Sequence, residues 1–207
     1  MTRALPLAAV AIVLFALFVF IGLRVSKRPL SRIDAKAVFF RGQFTPIAVL
    51  FALSGRSPAM TAFCILSIAT FAALRMSLVM PLMMTLSQIV SQMIVEFAKT
   101  RFRRLRPDYW LVGREAGHSY PSGHSATAIV FFTGWAVIAA HEIPASWAAA
   151  LAAALLALWG LGIMWSRLAL GAHYLSDVAG GALFGGAWLC AVFTLSGHFY
   201  GFLRLPG

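Results

Sequence analysis

Long apolar runs alternate with short polar clusters along this chain. Ala4 to Leu23 is free of charge and long enough to cross roughly 30 Å of hydrocarbon as a helix. A cleaved leader would have an apolar core of only about 7–15 residues and a small-residue cleavage site. This run is longer and ends in Arg24, Lys27 and Arg28, so a retained first helix is expected. Arg24 to Arg56 is mixed, broken by Asp34, Lys36, Arg41 and Pro46, and reads as an interfacial amphipathic segment or as the entry of the next helix. Further spans are expected at Ser57–Leu74, Met76–Val95, Ser125–Ala140, Ala145–Trp165 and Val178–Leu195. A single Arg75 separates the second and third, which predicts a tight helical hairpin.

Lys99 to Pro121 is polar, with Pro107, Gly113, Gly117 and Pro121 as loop punctuation. Gly181 and Gly185 form a GxxxG spacing, which suits close helix packing inside the bundle. The expected fold is all-α: one polytopic domain over residues 1–207, with six transmembrane helices in a bundle. Six spans put the 1–2, 3–4 and 5–6 connections on one membrane face, and those connections hold the three polar clusters Lys99–Pro107, Pro121–His124 and Ser166–Asp177.

Composition agrees. The chain is 61% hydrophobic and 11% charged, with mean hydropathy +0.86. A soluble domain carries about 25% charged residues. Cys64 and Cys190 lie inside apolar runs, which argues against a disulfide framework. The net charge of +11 falls between apolar runs rather than on a solvated face. That pattern disfavours nucleic acid and favours membrane lipids and anionic headgroups as partners.

Three clusters carry candidate chemistry. His173 and Asp177 are four apart and share a face if helical. A carboxylate on one ring nitrogen fixes the tautomer and supports the charge gained when the other nitrogen attacks. The bland alternative is a capping Asp beside an interfacial His. Pro121-Ser122-Gly123-His124 precedes an apolar run. Ser122 can cap a helix whose free N–H groups bind anionic oxygens, Gly123 permits close approach, and His124 can protonate a leaving group. An ordinary cap with an incidental His is the alternative. Lys99 and Arg106 are seven apart, two turns along one helix face; Arg101, Arg103 and Arg104 fit a positive-inside stop signal. No cluster has three or four ligands at metal-like spacing.

Lys99-x6-Arg106-Pro107, Pro121-Ser122-Gly123-His124 and Ser166-Arg167-x5-His173-x3-Asp177 resemble, in order and spacing, the three-part signature of the type-2 phosphatidic acid phosphatase superfamily. The resemblance implies a membrane phosphatase without metal or cofactor. Its substrate would be a phosphorylated lipid such as phosphatidylglycerophosphate, phosphatidic acid or a polyprenyl diphosphate. His173 would be the nucleophile, Asp177 its orienting carboxylate and His124 the acid and base. Lys99, Arg106, Ser122, Gly123 and Arg167 would hold the phosphoryl oxygens. The superfamily also includes soluble vanadate-dependent haloperoxidases, which six spans argue against. A lipid-binding or transport protein is the rival class. It would place polar residues inside the spans, where this chain has few. Oligomeric state is not legible here. Fourteen of the seventeen basic residues fall on the motif side, which by the positive-inside rule means the cytoplasm. The resemblance points instead to the periplasmic face of a bacterial inner membrane, and that is the expectation adopted.

Overall fold

The computed structural model describes residues 4–27, 31–111, 115–142 and 147–203, and all regular structure among them is helical. Helix α1 (Ala4–Lys27) spans 24 residues, about 36 Å at 1.5 Å per residue. Its outer face, with Leu5, Ile12 and Phe20, is exposed, as suits lipid contact. Phe18 and Val25 turn inward against Val95, Ala98, Tyr120 and Phe184.

The mixed stretch that follows is a bent element rather than one straight interfacial helix. Helix α2 (Arg32–Lys36) and the 3-10 turn Ala37–Phe40 meet helix α3 (Thr45–Ser54) at 112°. Gly42 makes the corner in the left-handed region, where a side chain would be strained. Small Ala48 and Ala52, one turn apart, let α3 lie against Ala169 and Leu170, while Ile47, Leu50 and Leu53 stay exposed.

Helix α4 (Ser57–Ala73) is 17 residues long, about 25 Å, shorter than the helices of membrane-spanning length. Its hairpin to α5 (Val79–Phe102) uses residues 74–78, not Arg75 alone. The end is a Schellman arrangement: Arg75 takes the left-handed conformation, its N–H donates to the Ala72 carbonyl and the Met76 N–H to that of Phe71. Helix α6 (Gly123–Thr127) runs through a π-helical segment (Ala128–Thr133) into α7 (Gly134–Glu142). Helices α8 (Trp147–Ala169) and α9 (Leu175–Leu203) complete the bundle. Among the described residues five stretches are long and apolar enough to cross a membrane: Leu5–Lys27, Val79–Phe102, Gly123–Ala140, Trp147–Ala169 and Leu175–Ser196. The bent pair makes a sixth if it is one span.

The glycine pair packs within the bundle. A methyl group at Gly181 would run into the Ser122 carbonyl, and one at Gly185 would crowd Ile129 and the Ala126 carbonyl. This contact seats the start of α6 directly on the first turns of α9. Ser166 and Arg167, expected in a loop, form the last turn of α8, which is longer than its apolar run. A cation there meets the negative end of the helix dipole.

Candidate active site

The three polar clusters converge around a cavity of about 300 Å³, lined by Arg56, Gln92, Lys99, Glu115, Gly123, His124 and His173 among others. Gln92 and Lys99 lie two turns apart on α5, so the cavity extends about 10 Å along that helix. A side chain at Gly123 would come within 3.3 Å of Gln92 Oε1 and 3.8 Å of Lys99 Nζ, so glycine keeps this wall open.

His173 and Asp177 do meet, but not on one helix face. His173 lies in the loop before α9, and Asp177 sits in the first turn. The Asp177 carboxylate accepts the Tyr174 N–H (2.9 Å), so it caps the helix as well as facing the ring. His173 Nδ1 is 3.5 Å from Asp177 Oδ2 and 3.3 Å from Ser119 Oγ, and the Ser119 hydroxyl donates to Asp177 Oδ2. Arg106 Nη1 is 3.2 Å from His173 Nε2. Arginine can only donate and an ionised carboxylate can only accept. Both contacts therefore demand one tautomer: hydrogen on Nδ1, lone pair on Nε2 facing the cations. The Ser119 hydrogen is committed to Asp177, so its oxygen is free to accept from Nδ1. Burial comes first in lowering the His173 pKa to about 4; Arg167 and Arg106 push the same way, and Asp177 opposes them. The ring is thus neutral at pH 7.

The spacing argument for Lys99 and Arg106 fails in its premise. Helix α5 stops at Phe102, because Arg103 turns left-handed and its N–H caps the Lys99 carbonyl. Arg106 instead reaches the site from the loop. It is held by the carbonyls of Gly117 (3.3 Å) and Ala172 (3.3 Å), with Trp110 flanking the guanidinium at 5.5 Å. Arg167 supplies a further fix through its carbonyl, which accepts the N–H groups of Ala172 (3.0 Å) and His173 (3.3 Å). Ser122 is fully buried and serves as N-cap, accepting from the Ser125 N–H, while its own N–H donates to the Asp177 carbonyl (3.0 Å). Its hydroxyl is thus engaged in the fold, and Gly123 is the member of that motif beside Lys99. His124 Nε2 is 3.1 Å from the Ala52 carbonyl. A carbonyl only accepts, so Nε2 carries the hydrogen and Nδ1 is left to exchange a proton.

Sequence reasoning missed four residues here. Glu115 bridges two of the expected phosphate ligands, with Oε1 2.7 Å from Arg167 Nη2 and Oε2 3.3 Å from Arg106 Nη1. Burial opposes its ionisation, yet Arg167 and the other nearby cations pull its pKa down to about 2. Glu115 therefore stays an anion and occupies the cations as an oxyanion ligand would. Lys99 is likewise paired, with Glu96 at 2.7 Å. Arg167 Nε is buried without a hydrogen-bond partner among the described residues. Ser119, Arg104 and Asp34 are the other three. The basic stretch does not act as one patch: Arg101 and Arg103 are exposed, whereas Arg104 is buried against Asp34 and Asp177. The signal available was scarcity. The chain has six acidic residues, and Asp34 is the sole one before Glu96.

Among the described residues no group of three His, Cys, Asp or Glu side chains is placed to hold a metal ion. The site offers the neutral His173 ring among guanidinium and ammonium groups, which suits a tetrahedral oxyanion.

A family model described as the PAP2 superfamily matches residues 78–199, more than half of the chain. Lipid A 1-phosphatase of Rhizobium etli is 34% identical over 108 residues, covering 47% of this chain and 42% of that protein. Lipid A 1-phosphatase of Rhizobium johnstonii is 34% identical over 110 residues, covering 48% and 41%. The chain thus aligns with less than half the length of the curated relatives it matches. The crystal structure of a transmembrane PAP2-type phosphatidylglycerolphosphate phosphatase from Bacillus subtilis superposes with TM-score 0.78 at 21% identity, over 91% of this chain and 96% of that one. It has the same fold.

Proposed function

Since the chain belongs to the PAP2 superfamily, we propose that it removes a terminal phosphate group from a phosphorylated lipid of the bilayer. The observation that carries this reading is the His173 ring: Asp177 and Ser119 hold Nδ1, and Nε2 opens onto Arg106 beside the cavity. In the first step Nε2 attacks phosphorus. The N–P bond forms, the ester P–O bond breaks, and His124, which enters this step with both ring nitrogens protonated once the phosphate is bound, passes its Nδ1 proton to the departing lipid oxygen and keeps the one on Nε2. In the second, His124 takes a proton from water as the oxygen attacks phosphorus; the N–P bond breaks and inorganic phosphate leaves. Nδ1 keeps its hydrogen throughout, so Asp177 faces a cationic ring only while phosphorus is attached. Arg106, Arg167 and Lys99 stabilise charge on the phosphoryl oxygens, and Arg167 Nε gains a partner. These cations exchange Glu115 and Glu96 for phosphate, so no bare cation is buried at any stage.

The cavity supports a lipid substrate. Its walls include Arg56, Ser57 and Pro58 at the start of α4 and Gln92 within α5, beside the exposed apolar side chains of Ile89, Met93 and Phe97. A phosphate held at headgroup depth by its own acyl or prenyl chain would enter there. Phosphatidylglycerophosphate, phosphatidic acid, a polyprenyl diphosphate and a lipid A phosphate all satisfy this chemistry. In detergent micelles such lipids are expected to be hydrolysed with kcat/KM at least about 100-fold above that of glycerol 3-phosphate, which lacks the binding energy of the chain. Equal values for glycerol 3-phosphate and the lipids would reject lateral entry and reduce the spans to an anchor.

In the same reading the chain crosses a bacterial inner membrane six times, α4 being the short second crossing, and the site faces the periplasm or exterior. A single cysteine at Gly113, with Cys64 and Cys190 replaced, is expected to react with a membrane-impermeant maleimide added to intact spheroplasts. Labelling only after lysis would turn the site to the cytoplasm, as the basic residues count it.

A further inference from the structure

The mechanism above leaves Arg104 and Asp34, in the buried ion pairs behind Asp177, without a role. Arg104 and Asp34 are each 2% exposed and Asp177 is 0% exposed, behind His173 and away from the cavity lining. Burying an arginine and two carboxylates is costly unless each satisfies the others. Here the pairing is extensive. Arg104 Nη1 donates to Asp177 Oδ1 (2.6 Å) and to Ser176 Oγ (2.6 Å), and Nη2 donates to Asp34 Oδ2 (2.8 Å). Asp34 Oδ1 accepts the Ser176 N–H (2.9 Å) and hydroxyl (2.7 Å). The Tyr174 ring covers the guanidinium at 4.1 Å. The Arg104 carbonyl accepts the Ser119 N–H (2.8 Å), so the same residue places the hydroxyl that touches both Asp177 and His173. Ser31 caps α2 reciprocally with Asp34, so the carboxylate is fixed at its base as well.

We propose that Arg104, with Asp34 as its counter-ion, is a positioning residue for the reaction: it pins Asp177 Oδ1 so that Oδ2 alone serves His173, while Asp34 absorbs charge that Arg104 would otherwise place wholly on Asp177. This rests on the phosphatase reading for its kinetic test. A planar fork can bond two carboxylates at once, and an ammonium cannot hold that plane. The charge balance has a definite sign. Asp177 supports a positive ring only by the negative field it keeps, and an unshared guanidinium at 2.6 Å would cancel much of it. Asp34 restores the balance from the far side, in the stretch between the first and second helices of the bundle.

The test uses the purified full chain in detergent with Asp34→Asn, Asp34→Glu and Arg104→Lys. Asp34→Asn is expected to lower kcat on a lipid phosphate about 10- to 100-fold, with KM changed less than about threefold because the cavity lining is untouched. Asp34→Glu is expected to recover most of the loss. The His173 ring, followed by NMR with labelled histidine, is expected to titrate at lower pH in Asp34→Asn than in wild type. One negative charge is then gone, while the other groups facing the ring (Asp177, Arg106, Arg167, Glu115 and His124) are kept. A wild-type kcat in Asp34→Asn overturns the proposal. So does a lowered kcat with an unmoved His173 titration in a folded protein, since purely structural support would not shift the ring. If Asp34→Asn does not fold, Arg104→Lys decides by the same two readouts, and wild-type behaviour there overturns the proposal. Absence of phosphate release from every lipid by the wild type would reject the phosphatase reading, and the His173 titration would still test the coupling.

Discussion

His173→Ala is expected to abolish phosphate release, by about 10⁶-fold or to the assay floor, since the nucleophile itself is removed. Asp177→Asn is expected to leave a measurable residue, about 10³- to 10⁴-fold below wild type, because the nucleophile survives but its tautomer is no longer enforced. The ordering follows from the geometry. In the proposed reaction Nε2, 3.2 Å from Arg106, does the attacking, and Asp177 acts only through Nδ1. It also bears on pH. Burial lowers the His173 pKa to about 4, below the ordinary 6.5, so the lone pair is available throughout the neutral range. The check is phosphate release from purified protein with one lipid phosphate at pH 7 and at pH 5. Near-normal turnover by His173→Ala would reject the assignment and with it the proposed reaction.

The second large effect is expected at Arg167. Arg167→Met keeps much of the side-chain volume but removes a cation buried at 2% exposure, and kcat/KM is expected to fall about 10³-fold. Two losses combine. The phosphoryl oxygens lose a donor, and Glu115 loses its 2.7 Å partner, which leaves Arg106 at 3.3 Å to hold it. Glu115 then competes harder for the remaining guanidinium. Adding Glu115→Gln to Arg167→Met is therefore expected to recover part of the activity by freeing Arg106. The comparison is made with kcat/KM of the two variants under one detergent condition, with thermal unfolding as a control for folding. A double variant no better than Arg167→Met would show that Glu115 does not compete with substrate. Arg167→Met within a few-fold of wild type would remove Arg167 from the site.

The apolar runs made the membrane class and most helices legible, because hydrophobic length is a direct physical requirement of a bilayer. Their ends were less legible, since polar groups decide them. Helix α9 starts at Leu175, ahead of its apolar run, because Asp177 caps it. Helix α8 extends to Ala169, because Arg167 is neutralised by Glu115 rather than by water. Helix α5 stops at a left-handed arginine that no pattern marks. The cluster His173, Asp177 and Arg106 was legible because its residue types carry the chemistry. Its helical-face rationale was wrong for both pairs, and loop geometry brings them together instead. The supporting residues were not legible. Ser119 and Asp34 bear common side chains at unremarkable positions, and only the folded chain shows Ser119 on Asp177 Oδ2 and Asp34 on the Arg104 guanidinium that holds Oδ1.

The span of sequence behind that carboxylate has a consequence for how the protein is made. Asp34 leaves the ribosome first, Arg104 next and Asp177 last, with separations of 70 and 73 residues across the two ion pairs. His173, the proposed nucleophile, follows the fourth of the five long stretches, Trp147–Ala169. In the proposed reaction no nascent chain that stops short of Asp177 holds both the attacking nitrogen and its support, so activity would have to wait for that residue to be made. Helix α9, which follows the other described helices in the chain, carries Ser176 and Asp177, which tie the Asp34 segment to Arg104.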